Sequence, residues 1–187
     1  MSQELSCFKA YDVRGRIPDQ LNEDIAYRIG KAYAAFLKPA NVVVGYDIRL
    51  SSQQIYQALV KGLTEAGVNV SSIGQCGTEE IYFATSFLKM DGGIVVTASH
   101  NPKDYNGMKF VRENSKPISS DTGLKEIREL AEKNQFVDAA QAGSFTEIDV
   151  KQSYIKHLLS YINTDLLKPL KVVCNAGNGG AGLVIDL

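Results

Sequence analysis

Three short β-branched runs alternate with segments of helical period, and this alternation is what most restricts the folds open to the chain. "NVVVGYDIR" reads as a buried strand from Val42 to Tyr46, "VNVSSIG" as a second, and "GGIVVTA" as a third from Gly92 to Ala98. The last is apolar almost without interruption, the pattern of a strand covered on both faces. Between them, "SSQQIYQALVKGLTEAG" starts on serine and stops at Gly67, and "TEEIYFATSFLKM" opens on Thr78. Ahead of them, Ile25, Ile29, Ala32, Tyr33, Phe36 and Leu37 recur at helical spacing behind Asn22, a good cap, with Glu23 and Asp24 suited to the positive helix end. Strand and helix in alternation predict an α/β fold with helices on both faces of a sheet. Ligands in such sheets sit beyond the carboxyl ends of the strands.

"GMKFVRE" reads as a further strand about eight residues after "GGIVVTA". That gap is too short for a parallel crossover, so the pair is predicted antiparallel and the sheet mixed, mostly parallel. "SSDTGLKEIRELAEK" is predicted helical, "NQFVDAAQAGSFTEID" a connector, "VKQSYIKHLLSYI" an amphipathic helix in which His157 packs or faces solvent, and "PLKVVCNAGNGGAGLVIDL" a strand, glycine loop and helix.

Bulk charge removes several function classes. The 187 residues carry 20 basic and 21 acidic side chains, so no global field favours nucleic acid or an anionic membrane, and an anion site must be local. No apolar run reaches bilayer length. Cys7, Cys76 and Cys174 lack CxxC spacing and the N-terminus lacks a secretory pattern, which predicts a cytoplasmic protein.

The chemistry concentrates in "TASHNPKDYNG", Thr97 to Gly107, where an apolar strand gives way to polar and turn-forming residues. Ser99 follows directly on a rigid strand, so its oxygen can be held with little freedom. Pro102 biases Asn101 away from helix and fixes its own φ, and Gly107 admits close approach of backbone. His100, Lys103, Lys109 and Arg112 flank Ser99 in sequence, and alternation sends Lys109 and Phe110 to opposite faces. A phosphoryl group on Ser99 would bring a charge of about −1.5 to −2. At 4 Å and an effective dielectric near 20, two unit charges interact by roughly 4 kcal/mol, so a phosphorylated partner there requires several cations or a divalent metal. From the residues alone the segment also reads as a plain turn. A Ser-His-Asp triad is disfavoured because adjacent residues on an extended chain point apart. "GNGGAG" at Gly177 to Gly182 fits the dinucleotide-binding GxGxxG pattern, but no acidic partner follows about 20 residues on.

"TASHNP" resembles the phosphoserine loop of the α-D-phosphohexomutase superfamily. "FKAYDVRG" (Phe8 to Gly15), "VGYDIRLSS" (Val44 to Ser52) and "DYNGMK" resemble its other signatures in order and spacing, and "GTEEIYFAT" is most similar to the bacterial phosphomannomutase branch. The resemblance implies transfer of a phosphoryl group between the 1- and 6-positions of a hexose phosphate through a bisphosphate. Mannose phosphates are the expected substrate; the alternatives are a phosphoglucomutase or a non-catalytic phosphosugar-binding module. Ser99 is implied as the carrier and, through its phosphate, as one Mg²⁺ ligand. His100 and Lys109 are implied in proton transfer and charge stabilisation, and Tyr11, Arg14 and Arg49 in substrate binding, with Lys9 nearby. The superfamily's DGDxDR metal loop is absent from the sequence. Residues 1–149 are thus expected to be the first domain and 150–187 a connecting helix and the start of a second, with little or no turnover by this stretch alone.

Overall fold

The fold is described for residues 4–177 and 179–185 of a computed structural model. In chain order it comprises β1 (Val13–Arg16), α1 (Glu23–Leu37), β2 (Asn41–Tyr46), α2 (Ser52–Glu65), β3 (Asn69–Gln75), α3 (Thr78–Phe87), β4 (Gly92–Val96), β5 (Tyr105–Arg112), β6 (Lys116–Pro117), α4 (Leu124–Lys133), β7 (Phe145–Glu147) and α5 (Lys151–Leu159). The sheet order is β1-β5-β4-β2-β3-β7, with β6 also on β5. β2 pairs parallel with β3 and β4, and β3 with β7; β5 pairs antiparallel with β1, β4 and β6. Six strands therefore run one way and β5 alone runs against them. The mixed, mostly parallel sheet matches expectation, and the short link from β4 to β5 is what imposes the reversal.

Strand alternation splits the core into two layers. Val42, Val44, Ile94, Val96, Met108 and Phe110 pack with α1, α2 and α4, while Val43 and Val95 face α3 on the other side. Asn22 caps α1 by accepting from the Ile25 N–H at 3.0 Å, and Gly67 ends the α2 turn at φ +85°. α1 and α2 cross where two glycines meet backbone. A Cβ on Gly30 would stand 2.6 Å from the Leu59 carbonyl oxygen, and one on Gly62 2.3 Å from that of Tyr27. Gly62→Ala is expected to force the helices apart and to cost about 2 kcal/mol despite the gain in helix propensity, measurable by urea denaturation.

Five elements depart from the sequence expectation. β1 overlaps the end of "FKAYDVRG", too short and too charged for a strand signature, and is fixed by pairing with β5. The connector contains β7, held beside β3 where Asn69 Oδ1 accepts from the Ser144 N–H (3.0 Å) and hydroxyl (2.9 Å). The helix expected from the serines at 119–120 is broken. A 3₁₀ turn, Ser120–Thr122, precedes Gly123 at φ +131°, and α4 begins only after it. The strand predicted at "PLKVV" does not form: Val172 and Val173 are 69% and 94% exposed with no neighbouring strand among the described residues, and an unpaired strand has nothing to stabilise it. The helix predicted after it is a single 3₁₀ turn, Gly180–Leu183, and Asn178 of the predicted glycine loop lies outside the described residues. α5 forms as expected and stacks on α3, where His157 lies 5.0 Å from Phe83, ring centre to ring centre.

Candidate active site

The loop between β4 and β5, residues 97–104, emerges at the carboxyl ends of β2 and β4, beside the turn that follows β2. Ser99 and His100 are exposed on it while Thr97 and Ala98 are buried. Ser99 adopts φ +53°, a left-handed conformation costing a non-glycine residue roughly 1–2 kcal/mol, so the surroundings must hold it there. The Ser99 N–H donates to Thr97 Oγ1 at 2.9 Å, and the Thr97 hydroxyl donates to Asp47 Oδ2 at 2.7 Å. Asp47 Oδ1 accepts from the Ser52 hydroxyl (2.5 Å) and the Arg49 N–H (3.0 Å). Beneath them the buried Asn106 amide donates to Ser51 and Ser52 at 2.8 and 2.9 Å and accepts from the Gly107 N–H at 2.8 Å.

Arg49 lies under the loop. Its Nη1 donates to the carbonyls of Pro102 (2.7 Å) and Tyr105 (3.0 Å), and its Nη2 to those of Ser99 (2.8 Å) and Asn101 (2.5 Å). Nε is 3.4 Å from Asp47 Oδ2.

A second group comes from β1 and β5. Asp12 Oδ2 takes an ion pair from Arg14 Nε at 2.8 Å and another from Lys109 Nζ at 3.3 Å. The Arg14 guanidinium also donates to Asn101 Oδ1, which ties β1 to the serine loop. Lys109 is half-buried and Phe110 lies in the core, the alternation predicted for this strand. His100 Nδ1 stands 3.4 Å from Ser99 Oγ. Tyr11 is 77% exposed in the turn closed by the Phe8–Val13 bridge. Arg112 does not join the group. It pairs with Gly92 at the far end of β4 and binds Glu113 Oε2 at 2.9 Å.

Ser99 and His100 thus share a loop that Asn101 ties to the Arg14–Asp12–Lys109 group, and Arg49 braces that loop from below. Sequence reasoning missed Asp12, Asp47, Ser52, Thr97, Asn101 and Asn106. Asp12 and Asp47 lie within the quoted "YDVRG" and "YDIR", and a carboxylate two residues ahead of an arginine in both is the signal that could have found them. Buried thiols offer no competing nucleophile. Burial pushes Cys7 up to about 11 and raises Cys76 as well, so both stay protonated near neutrality.

A Mg²⁺ ion needs several hard oxygen ligands. Among the described residues no three His, Cys, Asp or Glu side chains gather into such a set. The carboxylates at the loop are already engaged, Asp12 by two cations, Asp47 by two hydroxyls and Arg49, and Asp104, within the loop, by Arg16. The residues present do not make a magnesium site by themselves.

Residues 6–138 match the family model described as phosphoglucomutase/phosphomannomutase, alpha/beta/alpha domain I. The chain is 58% identical over 189 residues to a phosphomannomutase of Vibrio cholerae serotype O1 and 57% over 186 residues to one of Escherichia coli K12. Each alignment covers 98% of this chain and 41% of the relative, so the chain spans about two fifths of their length. The crystal structure of a phosphoglucomutase/phosphomannomutase family protein from Burkholderia thailandensis superposes with a TM-score of 0.87 at 36% identity, over 98% of this chain and 41% of that one. The chain belongs to the phosphoglucomutase/phosphomannomutase family, and residues 6–138 are its α/β/α domain I.

Proposed function

We propose that the protein is a phosphomannomutase that interconverts mannose 6-phosphate and mannose 1-phosphate through a phosphoserine at Ser99 and a hexose 1,6-bisphosphate. The observation that carries this reading is the exposed Ser99 hydroxyl, held in a left-handed turn at the rim of the sheet, 3.4 Å from His100 Nδ1 and on a loop that Asn101 ties to Arg14. Relatives that are named phosphomannomutases support the choice of sugar.

In the forward half-reaction a sugar hydroxyl attacks the phosphorus on Ser99. The bond from phosphorus to the sugar oxygen forms as the bond to Ser99 Oγ breaks, the sugar hydroxyl gives up its proton, and the serine oxygen is reprotonated. His100, closest to Ser99 Oγ, is placed to manage a proton there. Lys109 and Arg14, both tethered to Asp12, offset charge between the phosphoserine and the phosphorylated sugar. Tyr11, exposed next to Asp12, is a surface for the sugar. Mg²⁺ would offset phosphate charge, with Ser99 contributing one ligand through its phosphate, but the other ligands would have to be supplied from outside the described residues. Residues 1–149 serve as the carrier domain and 150–187 lead toward a second. Free cysteines at positions 7, 76 and 174 support a reducing cytoplasmic setting.

The test is tandem mass spectrometry after the full-length protein has met mannose 1,6-bisphosphate. One added phosphoryl group on Ser99 is expected. A phosphoryl group elsewhere, or none, would leave a phosphosugar-binding module as the better reading and overturn the proposal.

A further inference from the structure

We infer that Asp47 and Arg49 are positioning residues that set the aim of the Ser99 oxygen, and that Arg49 does not bind substrate. The inference rests on Ser99 as the phosphoryl carrier.

A guanidinium has five N–H donors and no acceptor. In Arg49 four of them are given to carbonyls of one loop, Ser99, Asn101, Pro102 and Tyr105, and Nε faces Asp47. No donor is left for a sugar phosphate. The side chain is also only 12% exposed. Arg14, by contrast, has a single carboxylate and a single side-chain amide as partners and keeps donors to offer.

Both peptide groups that define the Ser99 backbone are pinned, and both pins lead to one carboxylate oxygen. On the amide side the Ser99 N–H is held by Thr97 Oγ1, whose hydroxyl donates to Asp47 Oδ2. On the carbonyl side the Ser99 oxygen is held by Arg49, whose Nε faces the same Oδ2. Asp47 is itself fixed, since its N–H donates to the Val96 carbonyl at the end of β4 and its other oxygen is taken by Ser52. The strain at φ +53° is therefore countered from two directions by one group rooted in the sheet. Lysine could reach the loop but, as a compact charge with three donors, could not satisfy four carbonyls in a plane.

The experiment is Arg49→Lys in the full-length protein, read three ways. Amide hydrogen exchange across 97–105 is expected to quicken roughly tenfold as the loop loosens. The kcat is expected to fall about 100-fold while KM for mannose 1-phosphate stays within about threefold, because misplacement of the reacting oxygen slows chemistry without removing a substrate contact. Thr97→Val removes the amide-side pin, leaves the guanidinium intact and is expected to shift exchange and kcat in the same sense; it decides the matter alone if Arg49→Lys does not fold. Unchanged loop exchange overturns the inference. So does a KM raised tenfold or more at preserved kcat in Arg49→Lys, which would make Arg49 a phosphate ligand. Hydrogen exchange needs no turnover, so a loosened loop in a protein that fails the phosphoryl-transfer test would sink the carrier reading and spare the brace.

Discussion

Ser99→Ala in the full-length protein is expected to lower kcat/KM for mannose phosphate interconversion by at least about 10³-fold while leaving stability within roughly 0.5 kcal/mol. The asymmetry between the two effects follows from where the hydroxyl sits. It is exposed, with His100 Nδ1 3.4 Å away, so little of the fold depends on it. The backbone of residue 99 is held through its N–H and carbonyl, and alanine keeps both. The Thr97 hydroxyl, two residues away, cannot substitute, because it is buried and directed at Asp47. Full turnover by the variant, followed by coupled assay of product formation, would remove the carrier from the mechanism.

The second large effect is expected at Gly107, in the opposite proportion. Gly107 lies on β5 opposite Arg14 of β1, and its carbonyl accepts from the Thr97 N–H at 2.9 Å. A Cβ there would stand 2.0 Å from the Val13 carbonyl oxygen and 2.9 Å from that of Thr97, and both are backbone atoms with no rotamer to move aside. Gly107→Ala must push β1 off β5 or distort the start of the serine loop. A loss of about 3 kcal/mol is expected in urea unfolding followed by tyrosine emission, the chain having no tryptophan. Activity should fall with it, since β1 carries Arg14 and the preceding turn carries Asp12. A change below about 1 kcal/mol would show that the two strands do not approach this closely.

Local signals explain what the sequence made legible. Asn22 and the acidic pair behind it place α1 to the residue, and β-branched runs place β2 and β4, because capping and burial on both faces act over a few neighbours. The reversal of β5 followed from loop length alone, and Ser99 from its position at a strand end. The supports around it were not legible in the same way. Asp47 meets Thr97 across 50 positions of sequence, Asn106 meets Ser51 across 55, and Lys109 meets Asp12 across 97. Such meetings depend on which strands become neighbours, which no local period encodes. Arg49 shows the difficulty best: an arginine in "YDIR" reads as a ready anion ligand until four carbonyls are found around it. β7 and β1 were missed for a related reason, being three and four residues long and defined by their partners more than by their own composition. At "PLKVV" the error ran the other way, since apolar residues promised a strand for which no partner is present among the described residues.

The single strand that runs backwards has one more implication. With β5 clasped between β4 and β1, the serine hairpin has both its feet planted in the same sheet, which leaves the Ser99 oxygen little travel of its own. Under the proposed exchange between two ends of one sugar, the tumbling would then belong to the passenger, and its surroundings would have to give it room to turn without letting it go.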